Sequence, residues 1–196
     1  MKEKLIKFGV MLALALGGCV VQSFYPFYTP KAVVVPATLA GQWQQIETTE
    51  ANKPWSFAAN NEGLFNVVAY EKDKPGNLRA TFFQIGTNLF CDFLAGEADE
   101  KAVSTHWLLH VRPVHSVSLV ETSQDRLVLV PLSIEWMDKA LKEKTVTLPK
   151  LQGVDSDDRL FTASPAEWAQ FLAAHAGNTN AFARKNALTF RKLQSP

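Results

Sequence analysis

Cys19 is the residue whose surroundings point most directly to chemistry. It ends Leu16-Gly17-Gly18-Cys19, behind an apolar run from Phe8 to Leu16 and a lysine-bearing start, Met1-Lys2-Glu3-Lys4-Leu5-Ile6-Lys7. The run suits the apolar centre of a signal peptide and falls short of the roughly 20 residues that span a bilayer. The second cysteine, Cys91, lies in Leu89-Phe90-Cys91-Asp92-Phe93, an apolar strand-like setting that predicts a buried, inert thiol. His106, His110 and His115 invite a metal reading. On a strand His106 and His110 share a face, and His115 points the other way unless Pro113 shifts the register. No cysteine or nearby carboxylate completes a tetrahedral set, so neither a metal nor a cofactor is expected. Asp155-Ser156-Asp157-Asp158 resembles the start of a calcium loop, but the glycine at the sixth position is missing and Ala166 stands where a bidentate glutamate belongs. It reads as a solvated turn. There is no Gly-x-Ser-x-Gly and no phosphate-cradling glycine loop, and Asp99 and Glu100 fall together in a turn. No catalytic residue is assigned, and an enzyme is the least supported class.

The ending Leu16-Gly17-Gly18-Cys19 resembles the lipobox of bacterial lipoproteins. That resemblance implies cleavage between Gly18 and Cys19 and a diacylglyceryl group on the Cys19 thiol. The membrane is then a partner through the N-terminal lipid, and several acyl chains on one cysteine hold stably where one alone is marginal. The implied location is the cell envelope. Val20 and Val21 follow the cysteine in place of an aspartate, which implies the outer membrane, facing the periplasm, in a host with two membranes. Removing residues 1–18 takes away Lys2, Lys4, Lys7 and Glu3 and leaves 17 basic against 18 acidic side chains. That balance excludes a nucleic-acid partner, which demands a basic surface. With Cys19 acylated, Cys91 has no disulfide partner within the chain, so the fold must stand on packing.

Residues 19–38 read as a lipidated, extended tether. Pro26, Pro30 and Pro36 forbid a helix there, while Phe24, Tyr25, Phe27 and Tyr28 must either pack along the domain or sit at the lipid interface. Residues 39–196 read as one domain. Alternation around Trp43, Trp55-Ser56-Phe57-Ala58, Leu64 to Tyr70, Leu78 to Ile85, Leu89 to Leu94, the run from Trp107 to Val120 and Arg126 to Val130 predict sequential short strands. Lys74-Pro75-Gly76-Asn77 is the expected turn between the third and fourth of them. Ser133 predicts a helix start running to about Lys144, and Ser164-Pro165-Ala166-Glu167 a capped one ending near His175. Arg159 to Thr162 and Ala187 to Lys192 complete the strands. The expected class is mainly β with minor α: an antiparallel meander forming a lipocalin-like barrel, closed or partly open, with two late helices packed on it.

Gly41-Gln42-Trp43, opening the first strand of that meander, resembles the start of lipocalins and related calycin barrels. The family likeness implies an arginine near the last strand lying across the tryptophan, and Arg191 is the position that matches. A second likeness, carried by Tyr28-Thr29-Pro30-Lys31, Leu39 to Trp43, Val111-Arg112-Pro113-Val114-His115 and Val130-Pro131-Leu132, is to a group of bacterial lipoproteins without an established activity. A calycin-like interior lined by Trp55, Phe57, Phe65, Phe83 and Phe93 would hold a small apolar ligand if it is hollow. If those aromatics fill it, the module instead docks an envelope protein. A hydrolase of envelope lipid or glycan is the third reading.

Overall fold

The computed structural model describes residues 20–46, 53–71, 73–96, 113–151 and 160–194. Its strands are β1 (Gln22–Ser23), β2 (Gly41–Ile46), β3 (Trp55–Ala59), β4 (Phe65–Glu71), β5 (Lys74–Ile85), β6 (Asn88–Ala95), β7 (His115–Thr122), β8 (Arg126–Pro131), β9 (Leu160–Phe161) and β10 (Leu188–Lys192). Two α-helices are present among the described residues, α1 (Ile134–Lys142) and α2 (Pro165–His175). From β2 to β8 each strand pairs antiparallel with the next. After the helices, β10 returns and pairs antiparallel with both β8 and β2. The eight strands close a barrel.

The period-2 pattern explains why this barrel has two cores. Inward side chains form one: Trp43, Phe57, Phe65, Val67, Phe82, Leu127 and Phe190 among them. The outer faces of β5 to β8 are also apolar, through Phe83, Phe90, Val117, Val128 and Val130, and cannot be left in water. Helices α1 and α2 cover them with Met137, Trp168 and Leu172. Both helices start where expected. The Ser133 hydroxyl accepts from Trp136 N at 3.3 Å, and Ser164 and Glu167 form a reciprocal capping box.

One expected turn is displaced. Lys74-Pro75-Gly76-Asn77 belongs to β5 and pairs with Glu71, Tyr70, Ala69 and Val68, so the ladder already begins at Lys74. Among the described residues β6 joins β5 only from Leu78 onward, which leaves the far side of this strand end without a ladder for Pro75 to break.

The segment expected as a tether is part of the domain. Val20 bridges Ser133, β1 pairs with the start of β7, and Val34 N donates to Phe82 O at 2.9 Å on β5. In between, Phe27 is fully buried against Trp168, with ring centroids 4.4 Å apart. The chain therefore straps across the outside of β7, β6 and β5 before entering the barrel at Gly41. Its prolines exclude a helix, as expected, but extended backbone here finds sheet edges to bond to and a core to enter. Of the four aromatics, Phe27 and Tyr28 pack on the domain, whereas Phe24 and Tyr25 are exposed.

Candidate functional site

The barrel interior is the first place to look for a ligand, and it is occupied by protein. Trp43, Phe65, Phe82, Leu127 and Phe190 are 0% exposed, so no water-sized space touches them. Of the expected lining residues, Phe57 and Phe65 are buried inside, while Trp55 and Phe93 face inward and are partly exposed. Trp55 stacks obliquely on Phe190 at 5.1 Å and donates its indole N–H to Tyr70 O at 3.2 Å. Phe83 does not line the interior. Phe82 and Phe83 are consecutive on β5, so only one can face in. Phe82 takes the inside, opposite Cys91, and Phe83 stacks on Phe90 outside, beneath Tyr28.

At the barrel end a cation lies over Trp43, but it is not Arg191. Trp43 donates its indole N–H to Leu39 O at 2.9 Å, at the end of a single 3₁₀ turn over Ala37–Leu39. The cation over its ring is Lys192, 5.4 Å from the ring centroid, and its ammonium also donates to Thr38 O at 2.6 Å. Register decides this. Lys192 stands opposite Trp43, whereas Arg191 stands opposite Gln44 and is exposed on the other face. The cation over Trp43 is thus Lys192 and not Arg191.

The polar group with the most unusual surroundings is Asp92, on the outer face of β6 and only 2% exposed. Its Oδ1 lies 2.7 Å from His115 Nδ1, and its Oδ2 accepts from Phe27 N at 2.9 Å. Burial pushes its carboxyl above the usual carboxylate range, against the pull of His115 and of the Phe27 amide. Asp92 is the point where the strap is fastened to the barrel wall. The chain had signalled it, as one charge inside an otherwise apolar strand. Ser23 stands opposite His115 across the ladder, which invites a nucleophile–base–acid reading. Yet Ser23 is fully buried, and its hydroxyl oxygen already accepts from Trp168 Nε1 at 2.9 Å and Tyr25 N at 3.2 Å. No substrate reaches it.

Cys91 points into the filled interior, and burial, with Asp92 next to it, raises its thiol well above the ordinary range. His115 is engaged by Asp92, and no group of three or more metal-ligating side chains occurs among the described residues. Gly18, Cys19, His106, His110, Asp99, Glu100 and Asp155 to Asp158 lie outside the described residues.

Open clefts lie outside the barrel. One, of about 380 Å³, runs between β7, β8 and the chain after α2, with Phe182 and Leu119 in its wall and the Glu121–Arg184 ion pair at its edge. Another, of about 410 Å³, sits beside α1, lined by Trp136 and Ala183, with Glu135 and Lys185 paired at 3.1 Å. Both fall in the size range of small-molecule sites, but each is open and edged by charge rather than enclosed and apolar. Comparison with protein-family models, curated proteins and solved structures returned no match.

Proposed function

We propose that this chain is a cell-envelope lipoprotein, anchored through acylated Cys19 after loss of residues 1–18, whose barrel is a packed scaffold that docks an envelope protein. In a two-membrane host it would face the periplasm from the outer membrane. One observation carries the choice of docking over ligand carriage: among the described residues the inward aromatics fill the barrel. A carrier of a small apolar molecule needs enclosed apolar space, which Trp43, Phe65, Phe82 and Phe190 take up themselves.

Native mass spectrometry of the Cys19→Ala protein, purified from its host's periplasm and again after incubation with host lipid extract, separates the two. The docking reading expects the bare polypeptide mass in both samples, together with a discrete crosslinked partner when the wild-type protein is crosslinked in the intact envelope. A reproducible added mass, lost on denaturation, would return the function to ligand carriage. The anchor has its own test: Cys19→Ala should abolish acyl labelling and membrane attachment, and retention of both would remove the lipoprotein reading.

A further inference from the structure

Among the described residues, the large apolar side chains left exposed are Phe24, Tyr25, Val35 and Leu151. Three of these four flank β1 and β9, the two short strands that extend the sheet beyond β7. Phe24 and Tyr25 directly follow β1, which runs parallel to β9. Leu151 lies on the other side of β9, its N–H donating to Leu160 O at 2.8 Å, beside the bridge between Lys150 and Phe161. Two interstrand spacings separate these flanks, about 10 Å. Neither exposed ring is on loose chain. Phe24 N donates to Phe161 O at 2.8 Å, Tyr25 N to Ser23 Oγ at 3.2 Å, and the next aromatic, Phe27, is fully buried below them. The two rings meet edge to face, 5.2 Å apart, and stay 44% and 45% exposed.

Position along the chain says what covers this patch. Val20 is bridged to Ser133 and Val21 is buried, so the residue that would bear the lipid precedes a fixed point by one Cα–Cα step of about 3.8 Å. No slack separates lipid from domain. Phe24 follows Cys19 by five residues, at most about 18 Å of extended chain. Aromatic side chains, tyrosine above all, favour the interface between headgroups and acyl chains. Lys31 is exposed on the strap, and Lys150 is exposed beside Leu151. Three side chains are also too few for a stable protein interface, which buries about 800 Å² per partner. We infer that the domain lies directly against the bilayer, with Phe24, Tyr25 and Leu151 seated in its interfacial layer. This rests on acylation of Cys19 as proposed above.

Nitroxide labels at Tyr25→Cys and Leu151→Cys in the full-length acylated protein test it, in vesicles of phosphatidylethanolamine and phosphatidylglycerol. Cys91 is fully buried and serves as the unlabelled background. The mass of the N-terminal peptide is read first, and a peptide without acyl mass sinks the lipoprotein reading and this inference with it. Given the acyl mass, collision with oxygen should rise severalfold and collision with a water-soluble nickel chelate should fall severalfold, relative to the same labels in a Cys19→Ala background. Unchanged accessibility to both would leave the lipid anchor standing and overturn the membrane seat. A fall in both, as on contact with a second copy or another protein, would overturn it equally.

Discussion

Single side chains at the barrel end and under the strap carry separable energies. Lys192 lies over the Trp43 ring and donates to Thr38 O, tying the entry of β2 to the last strand. Lys192→Met keeps the apolar stem and removes both interactions, so a loss of about 1–2 kcal/mol in urea unfolding is expected. Arg191→Ala, on the exposed face, should stay within about 0.5 kcal/mol. Equal losses would mean that the Trp43 contact is not what holds that end. Asp92 adds a pH dependence. Burial raises its folded carboxyl above the ordinary value, so the folded chain keeps a proton that the unfolded chain has already released. Its contribution to stability is therefore fully present below the ordinary aspartate range and is lost as pH rises through the raised folded value. Asp92→Asn still offers an acceptor to Phe27 N but does not titrate. Unfolding free energies measured across the acid range should show that decline in the wild type and a flatter profile in the variant. Parallel profiles would place the titration elsewhere.

At the scale of elements, the strap and the helices share one job: to cover the apolar outer wall of β5 to β8. Val21 and Phe27 are buried in that layer, each worth about 1.5–3 kcal/mol, and their removal also uncovers Phe83, Phe90 and Trp168. Together, about 3–6 kcal/mol, these two are a large share of the stability of an ordinary domain, about 5–15 kcal/mol. A chain beginning at Ala37 should therefore lose cooperative unfolding and near-ultraviolet circular dichroism, while one beginning at Val20 keeps both. Cooperative unfolding of the shorter chain would make residues 20–36 a dispensable tether after all. The sequence hid this strap for a physical reason. Its prolines and two-residue β1 carry no period, and what orders it is bonding to Asp92, Phe82 and Ser116 strands that lie far away in the chain. The barrel strands were legible because inward and outward residues alternate, and the helices because Ser133 and Ser164 are caps. Where both faces of a strand are apolar, alternation fails: Phe82 and Phe83 look alike in sequence, and only the closed barrel decides which is inside. The same one-residue parity separates Lys192 from Arg191 at the candidate barrel-closing pair.

The whole molecule depends on its last strand. β2 to β8 can pair in order as hairpins, but β10 must bond β8 on one side and β2 on the other, and β2 lies more than 140 residues earlier. Such non-local closure comes late and slowly, because the loop entropy is spent before the contacts form. Phe190 completes the interior beside Trp55, and Lys192 seals the Trp43 end, so closure and core packing are one event. A chain ending at Ala187 should thus fail in a particular way. Without β10, both β2 and β8 present open edges, and the inner core loses a fully buried phenylalanine. Light scattering during refolding should show concentration-dependent association of the shortened chain, by pairing of those edges, under conditions where the full chain stays monodisperse. A monodisperse, cooperatively unfolding shortened chain would mean instead that β2 and β8 close on each other directly, and that β10 is an addition to the barrel rather than its keystone.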